Sequence, residues 1–290
     1  MFLQQVVNGL CIGSIYALMA VGYSLVYSLL NFTNFAHGIV VTTGAYVGFY
    51  ALARWNMPLA AGVLMAMVGG AIISFTYERL TYRPLRLRGA RTLYLIITGM
   101  GLSVFFENFV IIEIGPRFKA LPNPFGLSGV HFLGTIIPTL DLIILVASLA
   151  SLVLLQTAIS KTRFGLATRA AAFNLPTAGL MGVNTDVLVG LVFVVAGAFA
   201  GLAGVFLGLK YIAYPQLGWM TLKAFISAVF GGLGSLPGAV LGAYLLGVIE
   251  TFVAAYISSS LRDIFAFLLL ILVLVIKPSG LMGVSAEEKA

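Results

Sequence analysis

Long runs of apolar residues alternate with short polar segments along this chain. Most of the runs reach the roughly 20 residues that an α-helix needs to cross the hydrocarbon core of a bilayer. The strands of a membrane barrel would instead alternate apolar and polar positions over about ten residues. The pattern therefore predicts an all-α, polytopic bundle of about eight transmembrane helices. The apolar runs are Phe2–Leu30, Phe35–Ala53, Pro58–Tyr77, Leu93–Ile112, Leu142–Ile159, Val187–Leu209, Ala224–Ile249 and Ile264–Ile276.

The seventh of these runs is interrupted. Residues 231–238 read Gly-Gly-Leu-Gly-Ser-Leu-Pro-Gly, and both Gly and Pro disfavour the interior of a helix. We therefore expect a broken or re-entrant helix near residues 224–249. The irregular backbone either faces a substrate or forms a close helix crossing through its Gly-x-x-x-Gly spacings. The first reading places three glycines on the translocation path: Gly231, Gly232 and Gly234.

Composition supports a membrane protein. Hydrophobic residues make up 61% of the 290 residues and charged residues only 9%, whereas soluble domains carry about 25% charged residues. The first 53 residues contain no Lys, Arg, Asp or Glu. A soluble fold of this composition would lack polar surface to cover its exterior. The one cysteine, Cys11, excludes an intramolecular disulfide and fits a packing position in the first span.

The net charge of +7 is concentrated in two loops. Residues 79–91 hold five arginines, and residues 161–169 hold Lys161, Arg163 and Arg169. Basic loops beside membrane spans lie on the cytoplasmic side, so both loops are predicted to be cytoplasmic. The charge therefore indicates orientation, and no nucleic-acid partner is expected.

Two groups of polar residues fall within the apolar part of the chain. Asn31, Asn34 and His37 link the first two runs at a spacing of three, which would bring them together on a helical turn. They form either a satisfied helix–helix turn or a polar lining of the translocation path. Glu107 and Glu250 are intramembrane acids. Each is expected to pair with a basic residue or to stay protonated, with structural pairing favoured over a proton or substrate role.

The second basic loop continues into a segment with its own helix signals. Pro176 suits a first helical turn and Gly182 suits a helix end, which predicts a short helix from Pro176 to Met181. Leu180 and Met181 would then be apolar residues on a cytoplasmic surface. Such residues either form a docking site or fold back against the membrane.

The chain lacks the sequence motifs of common enzymes. The dipeptide Gly-Lys never occurs, which excludes a phosphate-binding loop of the Walker type. The Gly-x-Ser-x-Gly, His-Glu-x-x-His and Cys-x-x-Cys patterns are also missing. We therefore expect no catalytic residues, no metal and no directly bound cofactor.

Taken in order, several motifs carry a family resemblance. The chain resembles the integral-membrane permeases of ABC importers for branched-chain and other hydrophobic amino acids, in particular the shorter of their two permease types. The motifs are Asn34-Phe-Ala-His-Gly38 with Gly44-Ala-Tyr46, Glu78-Arg79 with Tyr82-Arg-Pro-Leu85, Arg169-Ala with Ala178 through Asn184-Thr-Asp186, Gly231 through Ala239, and Pro278-Ser-Gly280.

This resemblance implies a single permease domain over residues 1–290, in a bacterial-type cytoplasmic (inner) membrane and in contact with membrane lipid. Its partners would be a second related permease, two cytoplasmic ATPase subunits that use ATP, and a periplasmic or extracellular solute-binding protein. The segment at about residues 161–186 would couple to the ATPases. The coupling residues would be Arg169, Asn174, Thr177, Ala178, Leu180, Met181, Gly182 and Asn184.

Two alternatives stay open for the cargo and the energy source. Related importers carry urea or short amides, and the residues above do not separate these from amino acids. An ion-coupled secondary transporter would instead use Glu107 or Glu250.

Overall fold

A computed structural model of the chain describes residues 2–126, 128–132 and 135–283. Within this part, seven helices are long and apolar enough to cross a membrane. The all-α, polytopic architecture is therefore confirmed. The seven segments are Phe2–Leu30, Leu59–Leu87, Thr92–Glu113, Thr139–Lys161, Thr185–Lys210, Leu236–Tyr256 and Ser259–Ile276.

The α-helices follow one another as α1 (Phe2–Leu30), α2 (His37–Phe49), α3 (Leu59–Tyr77), α4 (Arg83–Leu87), α5 (Thr92–Glu113), α6 (Thr139–Lys161), α7 (Arg163–Phe173), α8 (Leu175–Leu180), α9 (Thr185–Lys210), α10 (Thr221–Gly231), α11 (Leu236–Tyr256) and α12 (Arg262–Ile276). Two π turns, Tyr50–Arg54 and Glu78–Tyr82, extend α2 and α3. Short 3₁₀ helices cover Pro215–Met220 and Ser259–Leu261.

The segment before α6 contains a small antiparallel hairpin. Its strands are β1 (Gly129–Phe132) and β2 (Thr135–Pro138), with Gly129 opposite Pro138.

Two of the apolar runs form helices shorter than a full span. The second run gives α2, whose 13 residues are about 20 Å long. The seventh run is divided as expected, since α10 ends at Gly231 and α11 begins at Leu236. Gly232 and Gly234, which lie between the two helices, have φ values of 111° and 85°, a backbone conformation that favours glycine and cannot continue a helix. With 11 residues, α10 covers about 16 Å, roughly half of a hydrocarbon core.

The chain divides into two compact units. One contains Met1–Ser24, Asn123–Leu155 and Leu222–Ala290. In this unit the first part of α1 packs closely against α11, because a Cβ atom on Gly9 would lie 2.7 Å from the Cα of Val248. A Cβ on Gly13 would similarly lie 2.9 Å from the Cα of Tyr244. Glycine at both positions therefore allows the two backbones to touch.

The other unit contains Leu25–Pro122 and Gln156–Thr221. Here α9 packs on both α2 and α3 through glycines. A Cβ on Gly204 would collide with the carbonyl of Val41 in α2, and a Cβ on Gly201 would collide with the carbonyl of Ala66 in α3. These contacts agree with the packing role that the small-residue spacing of this helix indicates.

Burial differs strongly among the spanning helices. The apolar window of α1 is 94% buried inside the protein, whereas that of Ser259–Ile276 is 11% buried and that of α5 is 17% buried. Large apolar side chains such as Leu64 and Ile72 of α3 are exposed. In water this surface would be unfavourable, so these helices present the apolar surface that lipid covers.

Candidate functional site

The segment between α6 and α9 consists of two helices, α7 and α8, and side chains cap the starts of α8 and of the following α9. The carboxamide oxygen of Asn174 accepts a hydrogen bond from the backbone N–H of Thr177 at 2.9 Å, which begins α8. Asn184 caps α9 in the same way through Val187 at 3.1 Å. Gly182 has a φ of 91° and follows the end of α8. Three of the predicted coupling residues therefore define helix boundaries.

The short helix lies one residue earlier than expected, over Leu175–Leu180 instead of Pro176–Met181. The helix begins at Leu175, before the proline, because the side chain of Asn174 caps it there. Ala178 is buried, and Thr177 is exposed.

The rest of the described chain leaves the apolar side chains at the end of α8 uncovered. Leu180 is 88% exposed and Met181 is 82% exposed. Phe173 and Leu166 of α7 are also exposed, at 72% and 61%. Their spacing of seven residues, which is visible in the sequence, places both on one face of α7. All four exposed apolar residues belong to the segment between α6 and α9.

Arg169 has a different environment. Its guanidinium donates a hydrogen bond to the backbone carbonyl of Ile159, near the end of α6. This contact satisfies one of the carbonyl groups that a helix end leaves without an intrahelical partner. Arg169 therefore attaches α7 to α6.

A cluster of charged residues adjoins this segment. Asp186, the second residue of α9, accepts hydrogen bonds from Arg79 at 2.8 Å, from Arg83 at 2.8 and 3.0 Å, and from Arg86 at 2.9 Å. The fully buried Glu78 accepts a further bond from Arg86 at 3.1 Å. We call Asp186 and its three arginines the arginine clamp.

The three polar residues between α1 and α2 do not share a helical turn, contrary to expectation. Residues 31–36 are irregular and Asn31 has a φ of 48°, so α2 begins only at His37. Asn31 is exposed, whereas Asn34 and His37 are each 1% exposed. The chain therefore turns sharply before the second helix, which separates Asn31 from the other two.

Asn34 is held by a pair of tyrosines. Its carboxamide nitrogen donates to the Tyr77 hydroxyl at 3.2 Å, and its oxygen accepts from the Tyr82 hydroxyl at 2.9 Å. The same oxygen accepts from the backbone N–H of Ala36 at 3.1 Å. These bonds favour the satisfied-turn interpretation for Asn34.

Glu250 is a buried acid with two polar partners. Lys223 of α10 donates to its carboxylate at 3.0 Å, and the hydroxyl of Tyr16 donates at 3.0 Å. The Lys223 ammonium also lies 2.8 Å from Asp263, at the start of α12. The polar partner of Glu107 is instead a neutral one, since its carboxylate accepts a hydrogen bond of 3.3 Å from the exposed indole of Trp219.

The glycines between α10 and α11 make backbone contacts. A Cβ on Gly231 would collide with the carbonyl of Gly238. A Cβ on Gly232 would lie only 2.4 Å from the backbone nitrogen of Gly283. The backbone N–H of Met282 donates to the carbonyl of Gly231 at 2.9 Å. The close-crossing interpretation accounts for these contacts. In the described residues no group of His, Cys, Asp and Glu is arranged to hold a metal ion.

The comparisons with known proteins agree with this arrangement. The profile of the family described as "Branched-chain amino acid transport system / permease component" matches residues 5–274. The chain belongs to this permease family.

Two curated members are similar to this permease over almost their whole length. The high-affinity branched-chain amino acid transport system permease protein LivH of Escherichia coli K12 is 39% identical, with 99% of this chain and 97% of the relative covered. BraD of Pseudomonas aeruginosa, a permease protein of the same description, is 38% identical, with 99% and 98% covered.

A solved structure has the same fold as this permease. It is described as an inward-facing conformation of a putative metal-chelate type ABC transporter, and it gives a TM-score of 0.53 at 19% identity over 95% of this chain and 85% of its own. The permease is thus a transport subunit and not an enzyme, and it is a multi-pass protein of the inner membrane. Permeases of ABC systems work with ATPase and substrate-binding partners.

Proposed function

We propose that this chain is the membrane permease of an ATP-driven importer of branched-chain and other hydrophobic amino acids. The observation that carries this is the 39% identity to LivH over almost the full length of both proteins. On this proposal, residues 1–290 act as one permease domain and pair with a second related permease. Two cytoplasmic ATPase subunits supply the energy, and an external solute-binding protein delivers the cargo.

The charges of the membrane segments suit a zwitterionic cargo with an apolar side chain. Lys223 pairs with both Glu250 and Asp263, at 3.0 and 2.8 Å, so these charges are met within the protein. A fixed ion in the pore would pair with only one of the two charged groups of a zwitterionic cargo. The desolvation of its second charged group would offset most of the binding free energy gained. Asn31, Asn34, His37, Gly231, Gly232 and Gly234 are the residues proposed to lie near the translocation path.

The proposed site of ATPase docking is the set of exposed apolar residues on α7 and α8. Leu180 and Met181, which we call the apolar patch, are almost fully exposed although they are apolar, and exposed apolar residues of this kind mark interaction sites. The caps at Asn174 and Asn184 fix the orientation in which α8 presents this patch. ATP is bound and hydrolysed by the ATPase partners and not by this chain.

Acidic substitutions in the patch test the coupling role. We expect Leu180→Asp and Met181→Asp to abolish the ATP hydrolysis that loaded binding protein stimulates in proteoliposomes, because a carboxylate must be desolvated in an apolar interface. Both positions are exposed, so the membrane fold and the amount of permease should not change. Leu180→Met and Met181→Leu, which conserve volume and apolarity, serve as matched controls and should retain stimulation. Normal stimulation in the acidic variants would remove the docking assignment.

The cargo and the energy source have separate tests. The ligand preference of the cognate binding protein decides the cargo, and a protein that binds urea or a short amide but not leucine would replace the amino-acid assignment. Import into vesicles that contain ATP should not require an ion gradient. Import driven by an ion gradient without ATP, and lost in Glu107→Gln or Glu250→Gln, would instead establish a secondary transporter.

A further inference from the structure

We propose that the arginine clamp joins the cytoplasmic coupling segment to the membrane helices, and that Asp186 is a positioning residue for transport. This inference rests on the proposed function, because it assigns a role in coupling to ATPase subunits. Asp186 would not touch cargo or ATP. It would fix the distance and angle between α8 and the ends of α3 and α4.

The arginine clamp makes more contacts, and holds a better defined orientation, than an ordinary surface ion pair. Arg83 binds both carboxylate oxygens of Asp186 through its Nε atom, at 3.0 and 2.8 Å, and its Nη2 atom lies 2.8 Å from Oδ2. Arg79 and Arg86 each add a contact of 2.8 or 2.9 Å from another direction. A single exposed pair contributes little, but a fork-shaped contact within a network of charges holds a defined orientation.

On its cytoplasmic side the clamp is directly connected to α8. Asp186 lies two residues after the Asn184 cap and five residues after Met181. The backbone N–H of Val183 donates to the carbonyl of Ala178 at 3.1 Å, which ties the connection to α8 itself. A displacement of α8 by a docked partner would therefore pull on Asp186 through a short, hydrogen-bonded connection.

On its membrane side the clamp is continuous with the tyrosine pair that holds Asn34. Arg79 belongs to the π turn Glu78–Tyr82, which ends in Tyr82, and Tyr77 immediately precedes this turn. Phe193 of α9 packs against both tyrosine rings, with centroid distances of 5.8 and 5.7 Å. Contacts therefore run without interruption from α8 through the clamp to the start of α2.

The balance of charge explains why Asp186 is the sensitive residue. Three guanidinium groups contact two carboxylates, and the buried one, Glu78, lies 3.6 Å from Arg79 and 3.1 Å from Arg86. Neutralising Asp186 would leave three positive charges around one carboxylate, so the arginines would separate. A π turn is also a common feature of functional segments and can change its hydrogen bonding without unfolding the helix.

The test measures how much ATP is hydrolysed per molecule of cargo imported by the complete importer in proteoliposomes. We expect Asp186→Asn to raise this ratio by about fivefold or more, the range of typical allosteric coupling. Asp186→Glu retains the charge and should restore most of the coupling. Glu113→Gln, the same chemical change at an exposed acid on the end of α5, is the matched control and should leave the ratio unchanged.

A second variant covers the case in which Asp186→Asn fails to assemble. Arg83→Lys keeps the positive charge but loses the fork-shaped contact, and it should also raise the ratio. In addition, Tyr82→Phe removes the hydroxyl bonded to Asn34. Combined with Asp186→Asn, it should add less than the sum of the two single effects, since both interrupt one series of contacts.

The outcomes separate this inference from the proposed function. Loss of stimulated hydrolysis in Leu180→Asp together with a wild-type ratio in Asp186→Asn or Arg83→Lys would overturn the clamp alone. Full additivity of the Tyr82→Phe and Asp186→Asn effects would overturn the connection to Asn34. Normal stimulation of ATP hydrolysis in Leu180→Asp would instead overturn the docking assignment, on which the coupling role of the clamp depends.

Discussion

Lys223 and Glu250 illustrate how charged side chains are accommodated among apolar helices. An isolated charge in this setting is expensive, and both residues avoid isolation through their 3.0 Å contact. Tyr16 and Asp263 supply the remaining polar contacts of the group. The arrangement matches the pairing alternative for Glu250, and it gives Lys223 a structural reason to be present.

Removing the lysine should be more harmful than removing both charges. Lys223→Met leaves the buried Glu250 without its cation, and we expect a loss of about 3 kcal/mol or more in unfolding free energy. Adding Glu250→Gln in the same chain should recover part of the loss, because the amide still accepts from Tyr16 while the buried charge is gone. Thermal unfolding of the purified permease in detergent measures both.

A double variant that is less stable than Lys223→Met alone would contradict this account. Asp263→Asn provides the control, since Asp263 is mostly exposed and its pair with Lys223 is screened by solvent. We expect it to change stability by less than about 1 kcal/mol.

At the scale of elements, α9 is defined by glycines that permit backbone contact. Gly197 and Gly201 are four residues apart, a spacing typical of packing faces between membrane helices. The spacing could not identify the partners, because a small-residue spacing does not specify which helix approaches it. The structure supplies them: Gly197 meets Gly70 of α3, and Gly204 meets Val41 of α2.

A pair of glycine-to-alanine substitutions tests this packing. Gly201→Ala would place a methyl group against the backbone of Ala66, and we expect a loss of about 1–3 kcal/mol from overpacking. Gly101→Ala on α5 adds the same methyl group where nothing lies within 4 Å. It should be neutral or gain about 0.5–1 kcal/mol through helix propensity.

Thermal unfolding of the two variants against the parent permease is the measurement. Equal effects at the two positions would show that glycine at position 201 serves flexibility and not close packing.

At the scale of the whole molecule, the lengths of the apolar runs were sufficient to predict a helical membrane protein. They also located the break between α10 and α11, because Gly and Pro interrupt a helix locally. The clamp was not predictable, since Asp186 lies 107 residues from Arg79 and no local pattern pairs them. The prediction that Asn31, Asn34 and His37 share a helical turn was wrong. A spacing of three residues is compatible with a helix but does not require one.

The order of the helices makes a prediction about sidedness. If α10 and α11 both cross, residue 277 lies on the cytoplasmic side with residue 88, and residue 117 lies outside. We expect Arg117→Cys to react with an impermeant thiol reagent in intact cells, and Arg88→Cys and Lys277→Cys to react only after permeabilisation. The parent chain is the control, because its single cysteine, Cys11, is fully buried.

Labelling of Lys277→Cys in intact cells would show that α10 and α11 together make an odd number of crossings. The same result at Arg88→Cys would reverse the orientation of the whole permease.

The uncharged α1 has an electrical consequence. A unit charge that crosses the full membrane field exchanges about 2.3 kcal/mol per 100 mV with it. No side chain between Phe2 and Leu30 carries such a charge, so the side chains of this helix transfer no gating charge when its depth changes. The resting voltage of the cell therefore exerts no net force on those side chains when the depth of the helix changes.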